Sequence, residues 1–262
     1  MAPTELEAGA PIYGPSEITE ETFKETPEEY QDLVRWVVGR QLLEELSAAC
    51  IFAKAAPLFY REGPEKVRYC VHLAEEEVGH CRAVARILPG IGLDYSLFAH
   101  HDRPYAQDFH GDPEFPQSWE DVLVFNWLAE ESGRLFLWSM RDTSYAPYAN
   151  VNRAIIAEEE RHAEGGPTHL IRHIEENGDE ARKKVQERVD EWFPKAIRLL
   201  GVPRSEKQQR FHHYGLKAED TEEQLPLWLD AVLPYADQLG LTVPTSDDMR
   251  ATGLVLPSHV DW

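Results

Sequence analysis

Two short motifs carry the chemistry of this sequence: Glu77-Val78-Gly79-His80 and Glu159-Glu160-Arg161-His162, each inside a segment that reads as a long helix. Residues three apart on a helix share a face, so each motif directs one carboxylate and one imidazole at a single point. Carboxylate oxygens with imidazole nitrogens suit iron, and manganese would accept the same donors. Two such pairs make half of a dinuclear cage, which four-helix carboxylate proteins complete with one lone acid from each of two further helices.

The elements that must supply those acids are present in the right order. Tyr30 to Ala56 is an apolar-periodic run carrying Glu44 and Glu45, and Trp119 to Met140 is another carrying Glu130 and Glu131. Adjacent residues diverge by about 100° around a helix, so one acid of each pair faces the metals, and periodicity does not choose which. Around the motifs themselves the same faces carry Cys70, Ala74, Val84 and Leu88, or Tyr148, Ile155, Ala163 and Gly166. Apolar faces place these polar groups inside a bundle, where burial costs several kcal/mol unless they are paired or metal-bound.

The boundaries follow from breakers and caps. The first helix lies between Pro27 and Pro57, the second between Gly63-Pro64 and Pro89-Gly90, and the third follows Ser118 as its N-cap. Residues 91–118 form a long crossover containing His100 and His101, for which solvent exposure is expected. The fourth helix fades near Asn177-Gly178; a fifth runs to Leu200, and a sixth, from Glu222 to Leu239, holds Pro226 and Pro234 and is predicted to kink. Residues 1–26 read as an N-terminal arm, 27–262 as a single helical domain, and Val243 to Trp262 as irregular.

Lys plus Arg number 26 against 47 Asp plus Glu, a net charge of −21, which argues against nucleic acid or an anionic membrane as partner. No apolar run reaches the ~20 residues of a membrane span. Cys50, Cys70 and Cys81 show no paired spacing, so reduced thiols and a cytoplasmic location are expected. No Cys₄ cluster pattern or Gly-x-Gly-x-x-Gly loop occurs, so electrons would come from a separate reductase. Each metal-bound imidazole needs an acceptor for its other N–H, and Glu76 and Glu158 are the candidates. Tyr145, Tyr148, His169 and His173 read as packing or surface groups.

Together, Arg35 to Glu44, the two Glu-x-x-His motifs, Ser118-Trp119 through Trp127-Leu128, Thr143 to Ala149, Trp192-Phe193-Pro194 and Leu239 to Pro244 resemble the catalytic subunit of bacterial phenylacetyl-CoA epoxidase. The resemblance implies an all-α, ferritin-like four-helix bundle with a long crossover between helices two and three and extra C-terminal helices. It implies a di-iron monooxygenase that uses O₂ to epoxidise the ring of an aryl acyl-CoA, working with a helical sister subunit and a reductase in a homo- or hetero-oligomer. By position it puts the metal ligands at Glu44, Glu77, His80, Glu130, Glu159 and His162, and a substrate contact at Arg35. Leu73 departs from the family, which carries a basic residue there. The alternatives are a ferritin-like iron-oxidising protein and a paralogous oxygenase acting on a non-CoA substrate.

Overall fold

The structure, a computed structural model, describes residues 12–99 and 114–262. Four long helices form its frame: α1 (Glu28–Ala55), α2 (Pro64–Ala85), α4 (Trp119–Met140) and α5 (Ala146–Leu199), with the short α3 (Ser96–Ala99) between α2 and α4. They pair as hairpins, α1 along α2 and α4 along α5. Among the described residues the sole extended pairing is an isolated bridge between Ile18 and Tyr145.

Local chemistry sets the ends. Proline at the first position of α2 costs nothing, because that N–H has no partner within the helix. Ser118 and Asp121 exchange side-chain and backbone hydrogen bonds at 3.0 Å each, a capping box that opens α4. The expected break between a fourth and a fifth helix survives as one distortion inside α5: Gly178 has φ of 71°, a conformation that glycine adopts without a Cβ clash.

The two largest apolar clusters among the described residues are distinct. One gathers Trp192, Phe193 and Trp228 where α7 (Thr221–Leu239) lies on α4 and α5. The other gathers Tyr30, Tyr145 and Tyr148. The predicted kink in α7 does not break the helix, which runs through Pro226 and Pro234, opened by the Asp220–Glu223 capping box and closed by Gly240. Beyond the expected set come three short helices: α3 within the expected crossover, α6 (Glu206–His213), and α8 (Ser246–Ala251) within the tail expected to be irregular.

The described part of the expected arm, residues 12–26, is packed on the bundle. Ile18 and Phe23 are buried, and Ile18 hydrogen-bonds through its backbone to Ser144 and Ala146 at 2.8 Å. No helix among the described residues is long and apolar enough to cross a membrane. Cys70 and Cys81 are buried free thiols, which burial pushes up to about 12 and about 11, whereas Cys50 is exposed.

Candidate metal centre

The four frame helices converge on a buried knot of acids and imidazoles. Glu45, Glu77, His80 and Glu159 bring one ligand atom each within 4.8 Å of one another, and so do Glu77, Glu130, Glu159 and His162. The two sets share Glu77 and Glu159. All six residues are at most 7% exposed, far too buried to count as solvated helix faces.

Each imidazole has a polar identity fixed at both ends. His80 Nδ1 points inward, 2.8 Å from Glu159 and 3.4 Å from Glu45, while its Nε2 lies 2.9 Å from Glu158. His162 Nδ1 points inward, 3.0 Å from Glu77, while its Nε2 lies 3.0 Å from Glu76. The partners are crossed: the α2 histidine is held by an α5 acid, and the α5 histidine by an α2 acid. Arg161 adds a bond to Glu76 at 3.2 Å. Burial pushes the Glu76 carboxyl up, but His162, His72 and Arg161 outweigh it and hold the group below its usual range.

The inward atoms are the unsatisfied ones. His80 Nδ1, His162 Nδ1 and Glu77 Oε1 are buried without a hydrogen bond, because their close neighbours do not meet them with hydrogen-bond geometry. An orphaned buried polar atom costs about 1–3 kcal/mol. A cation between the two sets would satisfy all three at once, so the residues present fit a pair of metal ions.

Electrostatics point the same way. Burial pushes Glu45 up to about 8, with Glu159 and Glu77 adding to the rise. Glu130 is raised well above a normal carboxylate, by burial and then by Glu77 and Glu159. Glu77 is also penalised by burial, yet His162 and His80 bring it down to about 2. The imidazoles go up despite burial, His162 to about 10 and His80 further, because carboxylates surround them. The cluster therefore demands compensating positive charge.

On α1 the ligand was expected at Glu44, but the acid that lies in the cluster is its neighbour Glu45. Glu44 points away, bound to Arg40 at 2.6 Å with about a third of its side chain exposed. Gln41, one turn before Glu45, donates from Nε2 to Glu45 Oε1 at 2.8 Å. Arg40, one turn before Glu44, was the signal in the sequence: an i, i+4 Arg–Glu pair belongs on a wetter face. On α4, Glu130 is in the cluster and Glu131 is turned to Arg134.

Arg35, expected to contact the substrate, has its guanidinium engaged elsewhere: it donates to the Ile91 carbonyl at 2.9 Å, to Gln31 at 3.0 Å and to Asp32 at 3.0 Å. His173 is tucked against Glu120 at 2.9 Å, and His169 meets the Tyr69 ring edge-on at 4.5 Å. Tyr145 and Tyr148 are fully buried. His100 and His101 lie outside the described residues.

The α4–α5 seam is drawn tight around the second motif. A Cβ on Gly166 would lie 2.5 Å from the Trp127 backbone nitrogen, so only glycine permits this approach. Asn126 donates to the His162 carbonyl, tying α4 to the turn that carries this imidazole. Between α1 and α4, by contrast, there is a cavity of about 90 Å³ that reaches Glu45 and Glu130 and is walled by Phe125, Ala129, Phe136 and Leu137. Sequence reasoning gave no sign of it.

The sequence pattern of the family described as phenylacetic acid catabolic protein matches residues 71–254. No curated protein sequence matches the chain significantly. Among solved structures, an R2-like ligand-binding oxidase from Sulfolobus acidocaldarius is similar, with a TM-score of 0.58 and 21% identity over 86% of this chain and 83% of that one. That likeness places the fold among ferritin-like bundles.

Proposed function

The chain belongs to the phenylacetic acid catabolic protein family, as an oxidoreductase with a ferritin-like fold, and we propose that it is a di-iron monooxygenase acting on an aryl acyl-CoA such as phenylacetyl-CoA. The observation that carries this reading is the pair of overlapping Glu/His sets with inward, unpartnered Nδ1 atoms. The net reaction consumes the arene, O₂, two electrons and two protons and yields a ring epoxide and water. Two ferrous ions, when bound, supply O₂ binding and its reduction.

The protein's own residues hold and shield. Glu77 and Glu159 are shared between the two positions, Glu45 with His80 completes one, and Glu130 with His162 completes the other. Glu158 and Glu76 accept the Nε2 protons of His80 and His162, which fixes the tautomer that leaves each Nδ1 free as a ligand. The cavity walls of Phe125, Phe136 and Leu137 receive an apolar group beside the cluster and keep water from it. Electrons come from a separate reductase, and a helical sister subunit completes the assembly.

A paralogous oxygenase on a non-CoA aromatic is the second reading. It is supported by Leu73, a buried apolar residue where the family carries a basic one, and by the bonds that each of the three Arg35 guanidinium nitrogens already makes. An iron-oxidising protein without an organic substrate has no use for the apolar cavity.

Anaerobic titration with Fe²⁺, followed by Mössbauer spectroscopy and O₂ exposure with phenylacetyl-CoA or phenylacetate, tests the reading. Two irons per chain, with O₂ reactivity accelerated by the thioester, is the expected result. Acceleration by the free acid alone selects the paralogue, and failure to bind two irons removes the di-iron assignment.

A further inference from the structure

The cavity between α1 and α4 is lined by Phe125, whose ring lies 5.7 Å from that of Phe52, and by Arg40, whose guanidinium lies 5.6 Å from the Phe136 ring centre. To this cavity α4 presents Phe125, Ala129, Gly133 and Leu137, residues at successive four-residue steps and therefore on one face. Gly133 is the exceptional member. Helix interiors disfavour glycine by roughly 0.5–1 kcal/mol relative to alanine, and no close approach requires it here, since an added Cβ would meet nothing within 4 Å.

Gly166 on α5 is the instructive opposite, because its Cβ would strike a backbone. At Gly133 the missing side chain leaves open space, and that space belongs to the cavity. A second observation, independent of the glycine, also points to a ligand. Gln41 is 2% exposed and lines the same cavity; its Nε2 is taken by Glu45, but its Oε1 has no partner. A buried carbonyl of that kind calls for an N–H or O–H donor.

We propose that Gly133 is the specificity-determining residue of this cavity, setting its bulk limit at a single aromatic ring, and that the Gln41 carbonyl accepts a hydrogen bond from a donor carried by the ligand. The size limit follows from volume. An apolar cavity of about 150 Å³ accepts benzene, so one of about 90 Å³ has room for no more than a single ring, and only if its walls give way slightly, while two fused rings exceed it. The inference rests on the proposed function for what happens to the bound ring, but ring binding itself is measurable without turnover.

Benzyl alcohol has one ring and one donor; 2-naphthylmethanol has two fused rings and the same donor. Ligand-observed NMR with the full-length chain, metal-free and iron-loaded, should show benzyl alcohol binding at least tenfold more tightly than the fused-ring alcohol. Gly133→Leu should abolish benzyl alcohol binding, and Gly133→Ala, which remains folded, should weaken it about tenfold by occupying space the ring needs. Leu227→Ala, on an exposed face of α7 and outside the cavity lining, is the control and should leave binding unchanged. Toluene, lacking the donor, should bind more weakly than benzyl alcohol to the wild type and equally with it to Gln41→Leu.

Equal affinity for the two alcohols, or unchanged binding in Gly133→Ala, overturns the inference even where the chain binds two irons. Failure to bind iron overturns the proposed function and leaves the Gly133 dependence to be read on the metal-free chain.

Discussion

The seam between α4 and α5 and the seam between α1 and α4 both contain a helical glycine, and the two glycines do opposite things. At Gly166 the backbones meet so closely that a methyl group has nowhere to go; at Gly133 a methyl group would enter a cavity. One seam spends its glycine on holding His162 close against α4, where Asn126 grips that residue's own carbonyl. The other keeps room beside Glu45 and Glu130. A metal centre needs rigid positioning on one side and access on the other, and in this bundle the two demands fall on different helix pairs.

That contrast can be broken at several points. The largest expected effect is on metal loading across the open seam. Outer acids that orient a ligand are worth about 10–100-fold in metal affinity, so Glu45→Ala, which removes an inner acid, should cost more than that and leave one ion per chain. Glu44→Ala should retain two, as read by metal analysis after gel filtration. If Glu44→Ala loses an ion and Glu45→Ala does not, the placement of α1 is wrong.

Next is the closed seam itself. Gly166→Ala should destabilise the protein by about 3 kcal/mol, because the clash is with backbone that cannot step aside. Urea unfolding measures this, and a variant as stable as the wild type would mean that the helices are not in contact there.

A similar magnitude is expected at Lys217, beneath the C-terminal end of α4, where Ala218 donates to the Ser139 carbonyl. Burial, helped by the nearby Arg40, brings this lysine down from 10.5 to about 8, while Asp220 opposes the change. The folded state therefore binds the proton more weakly than the unfolded state, and stability should rise with pH between about 8 and 10.5, by roughly 3 kcal/mol. Lys217→Met should flatten that window, as followed by unfolding at fixed pH values; persistence of the rise would assign it to another group.

The smallest expected effect is the sharpest complement to Gly166. Gly133→Ala should stabilise the fold by about 0.5–1 kcal/mol through helix propensity alone. A loss of stability in the same unfolding experiment would show that the space at Gly133 is not open.

Much of the frame was legible in the sequence because its signals are local. Pro27, Pro57, Pro64 and the Ser118 cap state where helices begin and end, and the Glu-x-x-His spacing states that two faces are inward. Glu44 against Glu45 was not legible from periodicity, since α1 buries residues around much of its circumference and both acids have apolar neighbours. Positional resemblance then favoured Glu44, against the local signal of Arg40 one turn before it. The helices α6 and α8 are short, yet Ser205 and Thr245 cap them through side-chain bonds of a kind also readable at Ser118. The cavity and the crossing of the histidine partners had no local signal at all. Both depend on which helices become neighbours, a property of the assembled bundle rather than of any window of sequence.

The crossed partners have one more consequence, for how α2 and α5 are registered. Since Glu158 steers His80 and Glu76 steers His162, a one-turn slip of either helix, about 5.4 Å, would strand both imidazoles together. The pair acts like a two-pin plug, which seats on both pins or on neither. Alignment of the helices and alignment of the crossed imidazole partners are then a single event.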